Sequence, residues 1–174
     1  MHVLIGRLLL RAARSDRLRQ WARGSPVVRS AVGRFLPGEE LSDALDAAEG
    51  LAEDGIDSVL TFLGENVEIA DEAREVREQY LNALAESDGH PGEPEISVKP
   101  THLGLALDDG VAREGMEALA RASSRTGRTL WMDMERASHV DPTLDLYREL
   151  RREGLGVGVC LQAYLYRTEE DLEE

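Results

Sequence analysis

Two spacings of apolar residues alternate along most of this 174-residue chain. One is the three-and-four spacing of a helix with a buried face. The other is a short run rich in β-branched and aromatic residues, as a buried strand requires. A first short apolar run at 33–37 leads into LSDALDAAEGLAEDG, where Leu41, Leu45, Ala48 and Ala52 fall on one helical face and Gly55 suits the stop. DSVLTFLGE predicts a strand over 57–63. A longer helix is predicted over 68–86, striped by Ile69, Ala73, Val76, Tyr80 and Leu84, and ESDGHPGEPE is a Gly/Pro-rich loop. EISVKPT reads as the third strand-like run, 110–124 as a helix and RTLWMDME as the fourth strand. DPTLDLYRELRREG predicts a helix with Asp141 as N-cap, Pro142 at its first position and Gly154 past its end. LGVGVCLQAYL is the fifth strand, and EEDLEE falls in the next helix.

Five strands alternating with helices imply parallel, right-handed βαβ units. Two α/β architectures satisfy that pattern: an open doubly wound sheet, or part of a (β/α)8 barrel. Residues 1–33 precede the pattern and are expected to form a helical arm, leaving 34–174 as the α/β domain.

Charge separates the same two regions. Residues 1–34 carry eight arginines and one acid, a net +7, whereas 35–174 carry 12 basic and 33 acidic groups, a net −21. An acidic chain lacks the cationic surface that displaces phosphate counterions, which argues against nucleic acid as a partner. The arm mixes Leu, Ile, Val and Trp with arginine but lacks the order of a secretory signal. It is expected to dock on its own domain, with peripheral contact at the inner face of the cell membrane as the other use of such a helix. Cys160 is the one cysteine. An intrachain disulfide is therefore impossible, and a cytoplasmic setting is expected. Cys160 lies inside an apolar run, where it reads as a small core residue. The four histidines show no metal-ligand spacing with each other or with Cys160.

The strand-like runs end in polar groups. Glu65 follows the second, Lys99 lies in the third ahead of Pro100, Asp133 and Glu135 end the fourth, and Gln162 and Tyr164 end the fifth. In βα folds of either architecture, sites form at C-terminal strand ends. Lys99 is also the only lysine, against nineteen arginines. GLGVGVC has the look of a dinucleotide loop, but its glycines enter a strand, whereas that fingerprint leaves a strand and opens a helix.

Taken together, RFLPGE at 34–39, LGENV at 63–67, SVKPTHLGL at 97–105, WMDME at 131–135 and VCLQAYLYRTEEDL at 159–172 stand in the order seen in proline dehydrogenases. The chain from residue 34 onward resembles that flavin-dependent family. The resemblance implies a (β/α)8 barrel binding FAD at its mouth, oxidation of L-proline to 1-pyrroline-5-carboxylate, and electron transfer to a quinone. It implies that Lys99 pairs with the proline carboxylate and that Asp133 is the active-site aspartate of the substrate network. Met134 and Gln162 match flavin-contacting positions, and Glu65 has a supporting role. The likeness covers five of eight βα units, so a barrel incomplete at its C-terminus is expected, inactive by itself. The alternative reading is a non-catalytic α/β assembly module that forms an oligomer without flavin.

Overall fold

The computed structural model describes residues 36–64 and 67–173. The expected N-terminal arm and Glu65 lie outside the described residues. The chain divides into two compact units, residues 1–44 and 45–174, and only 36–44 of the first are described.

The described elements run α1 (Leu41–Glu53), β1 (Val59–Leu60), α2 (Ala70–Ser87), β2 (Glu95–Val98), a 3-10 turn (Pro100–Leu103), α3 (Asp109–Arg125), β3 (Leu130–Asp133), a second 3-10 turn (Ala137–His139), α4 (Val140–Arg152), β4 (Val157–Cys160) and α5 (Thr168–Glu173). The apolar stripes behave as their spacing requires. Leu45 and Ala48 are buried on α1, and Ala73, Val76, Tyr80 and Leu84 on α2, while Ile69 lies just before α2 and is exposed. On α3 the Asp108 carboxylate caps the start by accepting from the Gly110 and Val111 amides.

Two expectations need correction. Four strands are present among the described residues; of the first apolar run, 33–37, only Leu36 and Pro37 are described, and neither is in a strand. The strands are also shorter than the apolar runs that contain them. Asp141 does not cap α4: the N-cap is His139, without a side-chain bond, and Asp141 sits inside the first turn, where it pairs with Arg167 at 2.6 Å. The stop at Gly154 holds, with φ +80°, a value that glycine adopts without strain.

All strand pairs are parallel, and their spatial order follows the chain, β1-β2-β3-β4. Sequential order with right-handed crossovers puts the three crossover helices, α2, α3 and α4, on the same face, as in a barrel wall. A doubly wound sheet would reverse its order at a switch point, and none occurs among the described strands. The registers Ile96↔Leu130, Val98↔Met132 and Leu130↔Val157 assign these residues to the helix-covered face. There Ile96, Val98, Leu130 and Met132 are at most 1% exposed.

The opposite face carries the alternate register partners: Val59, Glu95, Ser97, Trp131, Asp133, Gly158 and Cys160. It is polar and partly open. At its N-terminal side Glu95 accepts from the Trp131 indole Nε1 at 2.5 Å and from the Thr129 amide at 3.0 Å. Gly158 makes room for that indole, because a Cβ there would lie 2.5 Å from the ring.

Arginine–glutamate pairs stitch the outer layer. Arg77 joins α2 to Glu114 on α3 at 3.0 Å, and Arg113 and Arg121 join α3 to Glu149 and to Glu153 at the end of α4. Being exposed, each such pair contributes about 0–1 kcal/mol. The bulk of the stability comes from the apolar layer beneath them.

Candidate active site at the strand ends

Pro100 organises the end of β2. The residue before a proline is driven to extended backbone, and Lys99 has φ −87° and ψ 123°. The strand alternation therefore continues through Lys99, which shares a face with Ser97. Carrying the β2–β3 register one step past Val98↔Met132 puts Lys99 opposite Asp133, and Asp133 is in turn the partner of Cys160. Lys99, Asp133 and Cys160 thus form one row across three adjacent strands. Lys99 is half-buried, and none of the ion pairs among the described residues involves it.

Asp133 is held from β2. Its Oδ1 accepts the Ser97 hydroxyl at 2.7 Å. Two residues on, Glu135 grips the turn that follows Lys99: Oε1 accepts the Thr101 hydroxyl at 2.6 Å and Oε2 the Thr101 amide at 3.1 Å. The two carboxylates at the end of β3 therefore do different work, one on the open face and one as a brace for the neighbouring turn.

Cys160 is not the mid-strand core residue its apolar run implied. It closes β4 and is exposed. Partial burial and, after it, the negative charge of Asp133 push its thiol pKa up, so the group stays protonated near neutral pH.

Gln162 and Tyr164 lie beyond β4 rather than in it. Gln162 donates through Nε2 to the Met134 carbonyl at 3.2 Å, and its own backbone carbonyl accepts the Thr168 hydroxyl at 2.6 Å. Its Oε1 is buried and has no hydrogen-bond partner among the described residues. The Met134 side chain turns the other way, into a cluster with Val140 and Leu144. Tyr164 is 78% exposed. Arg167 clamps the segment after Gln162 by pairing with both Asp141 and Asp171, and that pairing holds the Asp141 carboxyl below its ordinary range.

His102 forms the floor beside Lys99. It is buried, its Nδ1 has no partner among the described residues, and its ring stands edge-on to Tyr80 with centroids 6.1 Å apart. A Cβ at Gly64 would run into the imidazole, so glycine is needed in that turn. Burial, and then the positive charge of Lys99, lower the His102 pKa, with Glu135 opposing. The unfolded chain therefore takes up this proton first as pH falls. His102 costs no stability above its unfolded pKa of about 6.5, and stability declines as pH drops from there toward the folded value. Melting curves at about pH 7 and about pH 5 are expected to show a smaller acid loss for His102→Gln than for the parent chain. Equal losses would place the acid-sensitive group elsewhere.

Sequence reasoning singled out Lys99, Asp133 and Gln162, and these lie at the ends of β2, β3 and β4 or just beyond. It missed Ser97 and the Thr101–Glu135 brace. Ser97 had a signal, since it lies two residues before Lys99 and so shares its face. In the brace, Glu135 stood out as a strand-end acid, but its partner Thr101 lies far away in the chain and had no signal.

A one-sided parallel sheet in sequential order, with a lysine and an aspartate in register at its strand ends, defines a barrel-type α/β fold. Residues 44–174 match the family model described as proline dehydrogenase, and the chain belongs to that family. It is 30% identical over 146 residues to proline dehydrogenase 1 of Bacillus subtilis (strain 168), covering 84% of this chain and 48% of the relative. Proline dehydrogenase of Deinococcus radiodurans is 29% identical over 140 residues, covering 78% of this chain and 45% of the relative. The chain thus spans about half the length of the curated relatives it matches. Among solved structures, proline utilization A (PutA) from Bdellovibrio bacteriovorus, inactivated by N-propargylglycine, superposes with a TM-score of 0.75 at 22% identity. That match covers 84% of this chain and 18% of the other. PutA from Corynebacterium freiburgense gives 0.65 at 23% identity, covering 99% and 18%. These likenesses establish the shared fold.

Proposed function

We propose that this chain provides part of the active site of an enzyme that oxidises L-proline to 1-pyrroline-5-carboxylate, with FAD as cofactor and a quinone as final acceptor. The observation that carries this reading is the in-register pair of Lys99 and Asp133 on the helix-free face, within the stretch matched by the family model.

Lys99 holds the substrate carboxylate. Its ammonium lies at a strand end without an ion-pair partner among the described residues, which leaves its charge available to an incoming anion. Asp133 hydrogen-bonds within the substrate network and complements the positive charge of the amine. Together the two fix the ring so that the carbon beside its nitrogen faces the cofactor, an orientation effect. FAD, when bound, supplies the hydride acceptor.

The residues present suit a flavin. An isoalloxazine ring carries an imide N–H that needs an acceptor, and the Gln162 side-chain carbonyl oxygen has no donor among the described residues. Met134 contributes by fixing that amide through its backbone carbonyl. Glu65, in the LGENV stretch, is assigned a supporting role. A cytoplasmic protein meeting quinone at the membrane gives the basic, Leu-rich N-terminal residues a use as a peripheral contact.

The test uses a polypeptide of the length of the curated relatives that contains this chain. The purified protein is expected to be yellow, and L-proline to bleach its flavin absorbance under anaerobic conditions. A colourless protein, or a flavin that proline leaves oxidised, overturns the reading. A cooperative oligomer without flavin would favour the assembly module instead.

A further inference from the structure

Asp133 stands between a serine hydroxyl on one neighbouring strand and a cysteine thiol on the other. Ser97 reaches it from β2 at 2.7 Å and is itself buried. Cys160 on β4 is its register partner and shares its face of the sheet, and the Asp133 charge raises the thiol pKa after the effect of burial. All three residues share the helix-free face, in or next to the row that Lys99 begins. We infer that Ser97 and Cys160 are positioning residues, which fix the Asp133 carboxylate from both flanking strands and so aim it at the substrate.

The physical reason lies in what neutral donors do. A strand-end carboxylate whose only neighbour is a flexible ammonium follows that ammonium. Hydroxyl and thiol donors set its direction while leaving its charge whole. A carboxylate has about four lone-pair sites, so two donors leave room for a substrate amine. Arginine in either flanking place would have spent that charge.

This inference rests on the proposed role of Asp133, but its test needs neither flavin nor proline. Cys160 is the only thiol in the chain, so iodoacetamide alkylation followed by intact mass reads it alone. The rate follows the thiolate fraction. In the full chain, Asp133→Asn is expected to speed alkylation by roughly threefold at a pH below the thiol midpoint, and to shift the whole pH–rate curve to lower pH. Ser97→Ala releases Oδ1 to turn toward the thiol and is expected to slow alkylation and shift the curve the opposite way. Cys160→Ser keeps a donor and, at the length of the curated relatives, is expected to retain the KM for proline that Cys160→Val raises.

An Asp133→Asn curve that superposes on the parent curve overturns the inference. If that variant loses its native far-UV spectrum, Ser97→Ala decides, and an unchanged curve there overturns it equally. Failure of flavin bleaching with shifted thiol curves would instead sink the proposed reaction and leave the three-residue arrangement standing.

Discussion

Lys99→Met, assayed in a polypeptide of the length of the curated relatives, is expected to raise the KM for L-proline by roughly 30- to 1000-fold and leave flavin content nearly unchanged. Removing one partner of a charge-assisted carboxylate contact costs about 2 to 4 kcal/mol, and each 1.36 kcal/mol is tenfold. Methionine keeps the length and the apolar stem of lysine, so packing beside His102 is preserved while the charge is lost. Stability should move by less than about 0.5 kcal/mol, since none of the described ion pairs depends on Lys99. Titrating proline against the rate, alongside the flavin-to-protein absorbance ratio, separates the two effects. Parallel losses of both would show that the lysine maintains the cofactor site rather than the substrate.

The second large effect concerns the fold. Leu130→Ala is expected to cost about 2–5 kcal/mol, because Leu130 is fully buried in β3 beneath the helices and is hemmed in by its register partners Ile96 and Val157. Ile96 sits on β2, which is paired on both sides, and β3 itself lies between β2 and β4, so the walls cannot close freely over the vacated space. Tyr166→Ala is the contrast: that ring is entirely exposed and its removal should change stability by less than about 0.5 kcal/mol. Urea unfolding midpoints for both variants test the pair of expectations. A Leu130→Ala midpoint equal to that of Tyr166→Ala would mean that the helix-covered face is not closely packed.

The helices were legible because several residues vote for each stripe. On α2, Ala73, Val76, Tyr80 and Leu84 all point inward, and no single exception could hide the pattern. Strand ends were harder to read. An apolar run records burial, not ladder bonds, so β1 was read through Leu63 although its ladder stops at Leu60. The same confusion made Cys160 look central, when it is the last residue of β4. Where a backbone rule intervened the reading was sharper, as with Pro100, which marks the end of β2.

Site residues followed a similar division. Lys99 and Asp133 could be picked out because a charged group in an apolar strand is conspicuous. Ser97 is small and neutral, and only strand parity betrays it. Asp141 misled for a tertiary reason: its carboxylate is taken up by Arg167 from the segment after β4, which local capping patterns do not encode.

The row across the mouth has a practical consequence. Lys99 and Cys160 are the sole lysine and sole cysteine of the chain, and they flank Asp133 with two strand spacings between them, roughly 10 Å. Nature has thereby left a caliper in place. A heterobifunctional linker, amine-reactive at one end and maleimide at the other, can grip both jaws without an engineered handle, and the shortest spacer that closes the bridge gauges how wide the opening stands.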